Sequence, residues 1–162
     1  MRPSVMVEKT VDLHLLLLQI FKGAWAAASD DFSGLGVVLY QGEHALPYIA
    51  LRPDDPPRLI EALGVVRVAE VLSQLASIRS PWHDGFHFID AAEVRLTHVA
   101  QFVSPPIPRI LCGSSAIGGA RHMSAALASR VEGIAMVGVL TGRGDVSVYL
   151  NGEMVLHEEI VS

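Results

Sequence analysis

The hydrophobic residues of this chain fall into blocks whose periods predict helices and strands in alternation. Residues 11–28 carry Leu, Ile, Phe, Trp and Ala on nearly every helical face, and only His14, Gln19 and Lys22 are strongly polar within the apolar stretch, which predicts a helix buried on most sides. A loop through Asp30, Asp31, Ser33 and Gly34 leads to a β-branched run at 36–40, read as a strand, and a second strand is expected at 46–51 as its hairpin partner. The proline-rich patch at 53–57 ends that strand and starts a helix at 58–63, because proline is tolerated in a first helical turn. Val68, Val71, Leu72, Leu75 and Ile78 recur at the spacing of an amphipathic helix over 65–78, closed by Ser80 and Pro81.

Strands are expected at 86–90 and 95–103 around a turn at 91–93, followed by an extended, proline-bearing loop at 104–109. A helix beginning near Ala120 runs to about Val131 and stops before Gly133. Three strands follow, at 134–140, 145–150 and 153–157, the last two joined by Asn151-Gly152, a two-residue hairpin signal. The pattern predicts a single α/β domain over 1–162, with a mixed β-sheet of about seven strands flanked by helices.

Composition narrows what such a domain does. With 51% hydrophobic and 18% charged residues, a chain of 162 residues can bury a substantial core. Its net charge of -5 argues against a broad nucleic-acid surface, so no nucleic-acid partner is expected. The one cysteine, Cys112, leaves no internal disulfide or cysteine-rich zinc site and fits a reducing compartment. Residues 15–21 followed by Ala24, Ala26, Ala27 and Ala28 imitate a signal peptide. Glu8 and Asp12 stand where basic residues should be, however, and no stretch reaches the ~18 apolar residues of a membrane span. The expectation is a cytoplasmic protein with no membrane partner.

Two polar stretches carry candidate chemistry. In the first, 112–126, small residues including Gly113, Ser114, Ser115, Gly118 and Gly119 run into the helix at Ala120, with Arg121 and His122 in its first turn. Glycines let the backbone approach a ligand, a helix N-terminus offers unpaired N–H groups, and arginine adds fixed positive charge, so the stretch reads as an anion seat. A first-turn arginine opposes the helix dipole, which an anion would relieve. In the second, Pro81-Trp82-His83-Asp84-Gly85-Phe86, a loop between helix and strand presents Asp84 as a carboxylate able to bind a metal and help deprotonate a hydroxyl. Asp84-Gly85 is also what a plain turn would contain. His83 and His87 lie too far apart along an extended segment to share a transition metal. Trp82 could stack a base, whereas Trp25 reads as core and Cys112 as a small buried residue.

The two stretches, in this order and with these flanks, resemble the diadenylate cyclase domain family, which joins two ATP molecules into cyclic di-AMP. His83, Asp84 and Gly85 match its Asp-Gly-Ala motif after a histidine. Gly119, Arg121 and His122 match its Arg-His-Arg motif entering a helix after a Gly-Thr pair, and Gly144, Ser147, Asn151 and Gly152 fit its closing strands. The likeness covers about residues 71–155. It implies a cyclase-like fold, Asp84 and His122 as catalytic residues, and Asp84 as the ligand of Mg²⁺ or Mn²⁺. It also implies a phosphate and nucleotide site of Gly85, Phe86, Gly118, Gly119, Arg121 and His122. The expected ligand is ATP, another adenine nucleotide or a cyclic dinucleotide, and the expected assembly is a face-to-face homo-oligomer.

The departures fall at the chemistry. Phe86 stands where the family keeps alanine, Ala120 where it has a phosphate-binding threonine, and Met123 where it has the second arginine; Thr141, Gly142 and Arg143 replace an acidic pair. A charge-assisted hydrogen bond contributes roughly 1.5–3 kcal/mol, so such losses weaken phosphate binding by factors of about tens to thousands. The reading that follows is a nucleotide-binding sensor with weak or absent cyclase activity. The alternatives are an active diadenylate cyclase that releases pyrophosphate and a ligand-free interaction subunit.

Overall fold

The central strand of the sheet is also the most thoroughly apolar one. In the computed structural model, which describes residues 4–42, 46–52, 62–107 and 119–160, β1 (Gly34–Tyr40) is buried along nearly its whole length. A strand covered on both faces reads as a continuous hydrophobic run and not an alternating one, which is the pattern of Leu35, Val37, Val38 and Leu39. Around it the chain adds α1 (Ser4–Ala26), β2 (Tyr48–Ala50), α2 (Val65–Leu75), β3 (Phe86–Asp90) and β4 (Arg95–Val103). It continues through α3 (Ala120–Ala128), β5 (Ile134–Thr141), β6 (Asp145–Leu150) and β7 (Glu153–Glu159).

The seven strands form one mixed sheet in the order β2-β4-β3-β1-β5-β6-β7. Only the β1–β3 pair is parallel, reached through the α2 crossover; β5, β6 and β7 continue as an antiparallel meander. The described residues thus build an α/β domain with a seven-stranded mixed sheet and three helices, as the alternation of periods predicts.

Two hydrophobic clusters sandwich the sheet. Leu17, Ile20 and Phe21 of α1 and Val68, Val71 and Leu72 of α2 pack with Leu35, Val37, Leu39 and Ile89 on one face. Ala125 and Ala128 of α3 pack with Val38, Phe86, Phe88, Val137 and Val139 on the other. Alternate residues of a strand share a face, so Gly34 and Gly36 stand beneath α3 together with Val38. A Cβ on Gly36 would come within 2.6 Å of the Phe86 ring, and one on Gly34 within 3.3 Å of Arg121 Nη1. The two missing side chains are what leave room for that ring and that guanidinium.

One expectation is corrected. β2 does not form a hairpin with β1; it pairs antiparallel with β4, with Tyr48 opposite Val103, at the edge of the sheet. Both sides of β1 are occupied by β3 and β5. A strand with Ile49 66% exposed belongs at an edge, not beside the fully buried centre. Smaller differences concern ends: α1 begins at Ser4 and stops at Ala26, α2 stops at Leu75, and α3 stops at Ala128, with Ser129 as its C-cap. Most of the helix expected at 58–63 lies outside the described residues, and Leu63 makes an isolated bridge to Arg95.

Because the Phe86 ring occupies the place of a side chain on β1, Gly36→Val forces it off its seat. Overpacking of this kind costs about 1–3 kcal/mol. Urea unfolding should show the midpoint fall by that free energy divided by the slope, with the slope unchanged, and a Gly36→Ala/Phe86→Leu double variant should lose less than the sum of its single losses.

Candidate functional site

Asp84 and Arg121 come from the two polar stretches, far apart in sequence, and the fold brings them together. Arg121 Nη2 stands 3.7 Å from Asp84 Oδ1, with the arginine side chain 27% and the aspartate 77% exposed. The carboxylate therefore faces solvent at the end of the sheet while the guanidinium lies back over Gly34. Burial holds the Arg121 guanidinium below its ordinary value, and the Asp84 charge partly offsets this. The arginine sits in the first turn of α3, where the helix dipole also opposes it. Asp84 supplies one nearby negative charge; an anion at the same place would supply another.

The backbone around Asp84 is held rigidly for a loop. Gly85 has φ +78°, in the left-handed region that glycine tolerates. Its N–H donates to Asp84 Oδ1 at 2.8 Å, and a Cβ there would strike the Gln101 carbonyl oxygen at 2.6 Å. This close approach follows an irregularity in the β3–β4 ladder between Phe86 and Phe88, where Ala100 adopts φ +51°. Such bulges re-aim neighbouring side chains. The buried His87 stabilises this one, because its Nδ1 accepts the Ala100 N–H at 3.1 Å. The proton of neutral His87 is then on Nε2, which has no hydrogen-bond partner among the described residues. Burial pushes the His87 pKa down from 6.5 to about 3, with the Arg121 charge adding to the effect.

His122, the next residue of α3, turns away from Asp84 onto β6. Its Nδ1 is 2.9 Å from the Tyr149 hydroxyl, and the two rings meet edge to face. Burial lowers the His122 pKa, helped by the charges of His157 and Arg121; burial raises that of Tyr149, which stays a neutral phenol. Two residues back on the same face of β6, the Ser147 hydroxyl meets His157 Nδ1 at 3.0 Å. Ser147 and His157 are register partners of β6 and β7.

The remaining candidates are spread out. Gly119 is the exposed N-cap residue of α3, and its backbone makes no side-chain cap bond. Among the described residues, no atom lies within 4 Å of where a Cβ on Gly119 would be. Phe86, expected beside a nucleotide, is 4% exposed and packs inward on Gly36 as part of the core under α3. Gly118 and Cys112 lie outside the described residues. His83 donates from Nδ1 to the Ser80 carbonyl at 2.7 Å, bracing the loop before Asp84. Trp82 is half-buried, with the Arg52 guanidinium 5.6 Å over its ring. Trp25 stacks edge-on to Phe32 at 5.6 Å beside the core.

Tyr149 and His157 are the residues that sequence reasoning passed over. A signal was present: along β6 Asp145, Ser147 and Tyr149 alternate with Val146, Val148 and Leu150, which marks one face as polar although that face lies toward a helix. A groove of about 470 Å³ lined by Leu13, Leu16, Gln41 and Val94 lies on the α1 side of the molecule, with no titratable group among its described lining residues. The polar candidates are at the other face.

Among the described residues no cluster of three His, Cys, Asp or Glu side chains could cage a metal ion. A lone, exposed carboxylate fits Mg²⁺ or Mn²⁺ only as an ion whose other ligands are water and phosphate oxygens.

No protein-family model matches this chain and no curated protein matches it. Its fold is similar to that of a structural-genomics crystal structure described as a hypothetical membrane-spanning protein from Bacillus cereus, with a TM-score of 0.59 and 19% identity. The match covers 90% of this chain and 61% of the other, so this chain spans about three fifths of that protein's length. In the present structure no helix among the described residues is long and apolar enough to cross a membrane.

The neutral burial of His87 links folding to acid. Below pH 6.5 the unfolded imidazole takes up a proton that the folded one refuses until about pH 3, so stability present above pH 6.5 is lost as pH falls through that window. His87→Asn keeps an acceptor for the Ala100 N–H and removes the titration. Its stability should converge on that of the unsubstituted protein by about 2 kcal/mol between pH 6.5 and pH 5, measured by urea unfolding.

Proposed function

We propose that this chain is a nucleotide-binding domain with the arrangement of the diadenylate cyclases, acting in the cytoplasm as a sensor with weak or absent cyclase activity. The observation that carries the reading is the Asp84–Arg121 contact at 3.7 Å, in which the carboxylate-bearing loop and the first turn of α3 meet at one solvent-facing point. A nucleotide would place its phosphate on Arg121 and the N-terminus of α3, where charge-assisted hydrogen bonds and the helix dipole both favour an anion. Mg²⁺ or Mn²⁺ carried by the phosphates would find Asp84 as its protein ligand and would supply charge neutralisation at the phosphate. His122, hydrogen-bonded to Tyr149, adds a donor that strengthens when a neighbouring anion favours its protonated form.

The sensor reading is favoured over turnover by what surrounds this point. Met123 follows His122 where a second cation would clamp the reacting phosphate, and Ala120 offers no hydroxyl at the helix start. The exposure of Asp84 favours the second reading, an active cyclase, since 77% of that side chain is open to a metal and to a second nucleotide.

Thermal unfolding tests the first reading. ATP with Mn²⁺ should raise the midpoint of the unsubstituted protein, by an amount that grows with ATP concentration, and should leave Arg121→Ala unmoved. No stabilisation at millimolar ATP sinks the nucleotide reading. Chromatography of the same mixtures separates the two activities: accumulation of cyclic di-AMP makes the protein an enzyme, and unchanged ATP makes it a sensor.

A further inference from the structure

We infer that His157 is a second anion-binding arm of this site, so that the ligand it takes is a polyphosphate and not a single phosphate. The inference rests on the nucleotide reading for the identity of the ligand and on separate residues for its geometry. His122 and His157 are both tied to one face of β6, through Tyr149 at 2.9 Å and Ser147 at 3.0 Å. Those anchors are alternate residues of the strand, about 7 Å apart at strand rise. His157 is exposed on β7 while its anchor Ser147 is 1% exposed, so the ring is held from below and open above. The field of His157 also reaches His122, where it disfavours a second positive charge.

Arg121 over Gly34, His157 on Ser147 and His122 on Tyr149 therefore share one face of the sheet across the strands β1-β5-β6-β7, as a row at successive register steps along it. Each side chain in the row is a donor to an anion. The same face carries two carboxylates, Asp145 and Glu159, which are register partners at the next step toward the end of the strands. Asp145 accepts a hydrogen bond from the Thr141 hydroxyl at 3.3 Å. They stand at the register step of Thr141 and Gly34, level with Arg121, so they bound the site on the guanidinium side and an anion runs inward from Arg121 to the imidazoles. A monophosphate spans one of these donors; a chain of phosphates spans the row. His157 thus supplies, from β7, a further hydrogen-bond donor where α3 has Met123.

Calorimetric titration of AMP, ATP and inorganic tripolyphosphate into the unsubstituted protein and His157→Ala tests this. Loss of one charge-assisted hydrogen bond should weaken ATP and tripolyphosphate about tenfold or more, with AMP unchanged within about twofold. Because His157 is on an exposed edge strand, the variant should fold, which its unfolding midpoint checks; Ser147→Ala, which releases the ring, should weaken ATP in the same direction. Equal ATP affinity in both proteins overturns the inference and leaves the nucleotide reading standing. Tripolyphosphate binding that depends on His157, with no ATP binding, supports the inference and overturns the nucleotide reading. No binding of any of the three overturns both.

Discussion

The absence of two side chains on β1 makes the room in which the candidate site is assembled. Gly34 and Gly36 face α3, and the space they leave is filled by the Arg121 guanidinium and the Phe86 ring. A Cβ on Gly36 would press on the Phe86 ring at 2.6 Å, and one on Gly34 would meet the Leu140 carbonyl oxygen at 2.8 Å and the tip of Arg121 at 3.3 Å. The ring closes the core beneath the helix, and the guanidinium, lying over bare backbone, ends 3.7 Å from Asp84. Packing and electrostatics are thus set by the same strand. β1 is buried on both faces, so it has little freedom to adjust.

On the far side of Asp84 the constraint is backbone geometry. Gly85 lies against the Gln101 carbonyl, Ala100 adopts a left-handed conformation that disfavours a side chain, and His87 spends one ring nitrogen on the Ala100 amide. Non-glycine residues in this region cost about 1–2 kcal/mol and persist where the surroundings hold them. A buried histidine whose second nitrogen has no partner among the described residues adds to that cost. The strain falls on the segment that carries the exposed carboxylate. Strain of that kind concentrates at functional sites, and here it is held in place by the contacts of Gly85, His87 and Gln101.

How much of this was readable beforehand depends on the range of the interaction. The buried run of β1, the amphipathic spacing of α2 and the Asn151-Gly152 turn are local, and each appears where its pattern places it. Pairing is not local: the period of β2 tells which of its residues face inward and nothing about its neighbour, so the expected hairpin with β1 gave way to the pairing with β4. Asp84 and Arg121 were recognisable separately from loop and helix chemistry, but their contact requires the β1–β3 and β1–β5 pairings to exist. Phe86 illustrates the same limit. Next to Gly85 it reads as a wall of a ligand site, and only the distant Gly36 reveals that its ring points into the core. Tyr149 and His157 were masked by their setting in strands, where a polar residue usually means solvent.

The two outer strands, finally, determine how copies of this molecule can meet. At one edge β7 alternates exposed and half-buried residues and carries Glu153, Glu158 and Glu159, so a like strand laid alongside it would bring carboxylates together. At the other, β2 offers only three residues of ladder. One edge repels by charge and the other is too short to template much pairing, which protects a sheet rich in valine and leucine from lateral growth. Association between copies is thereby steered away from the rims of the sheet and toward its loops and helical faces.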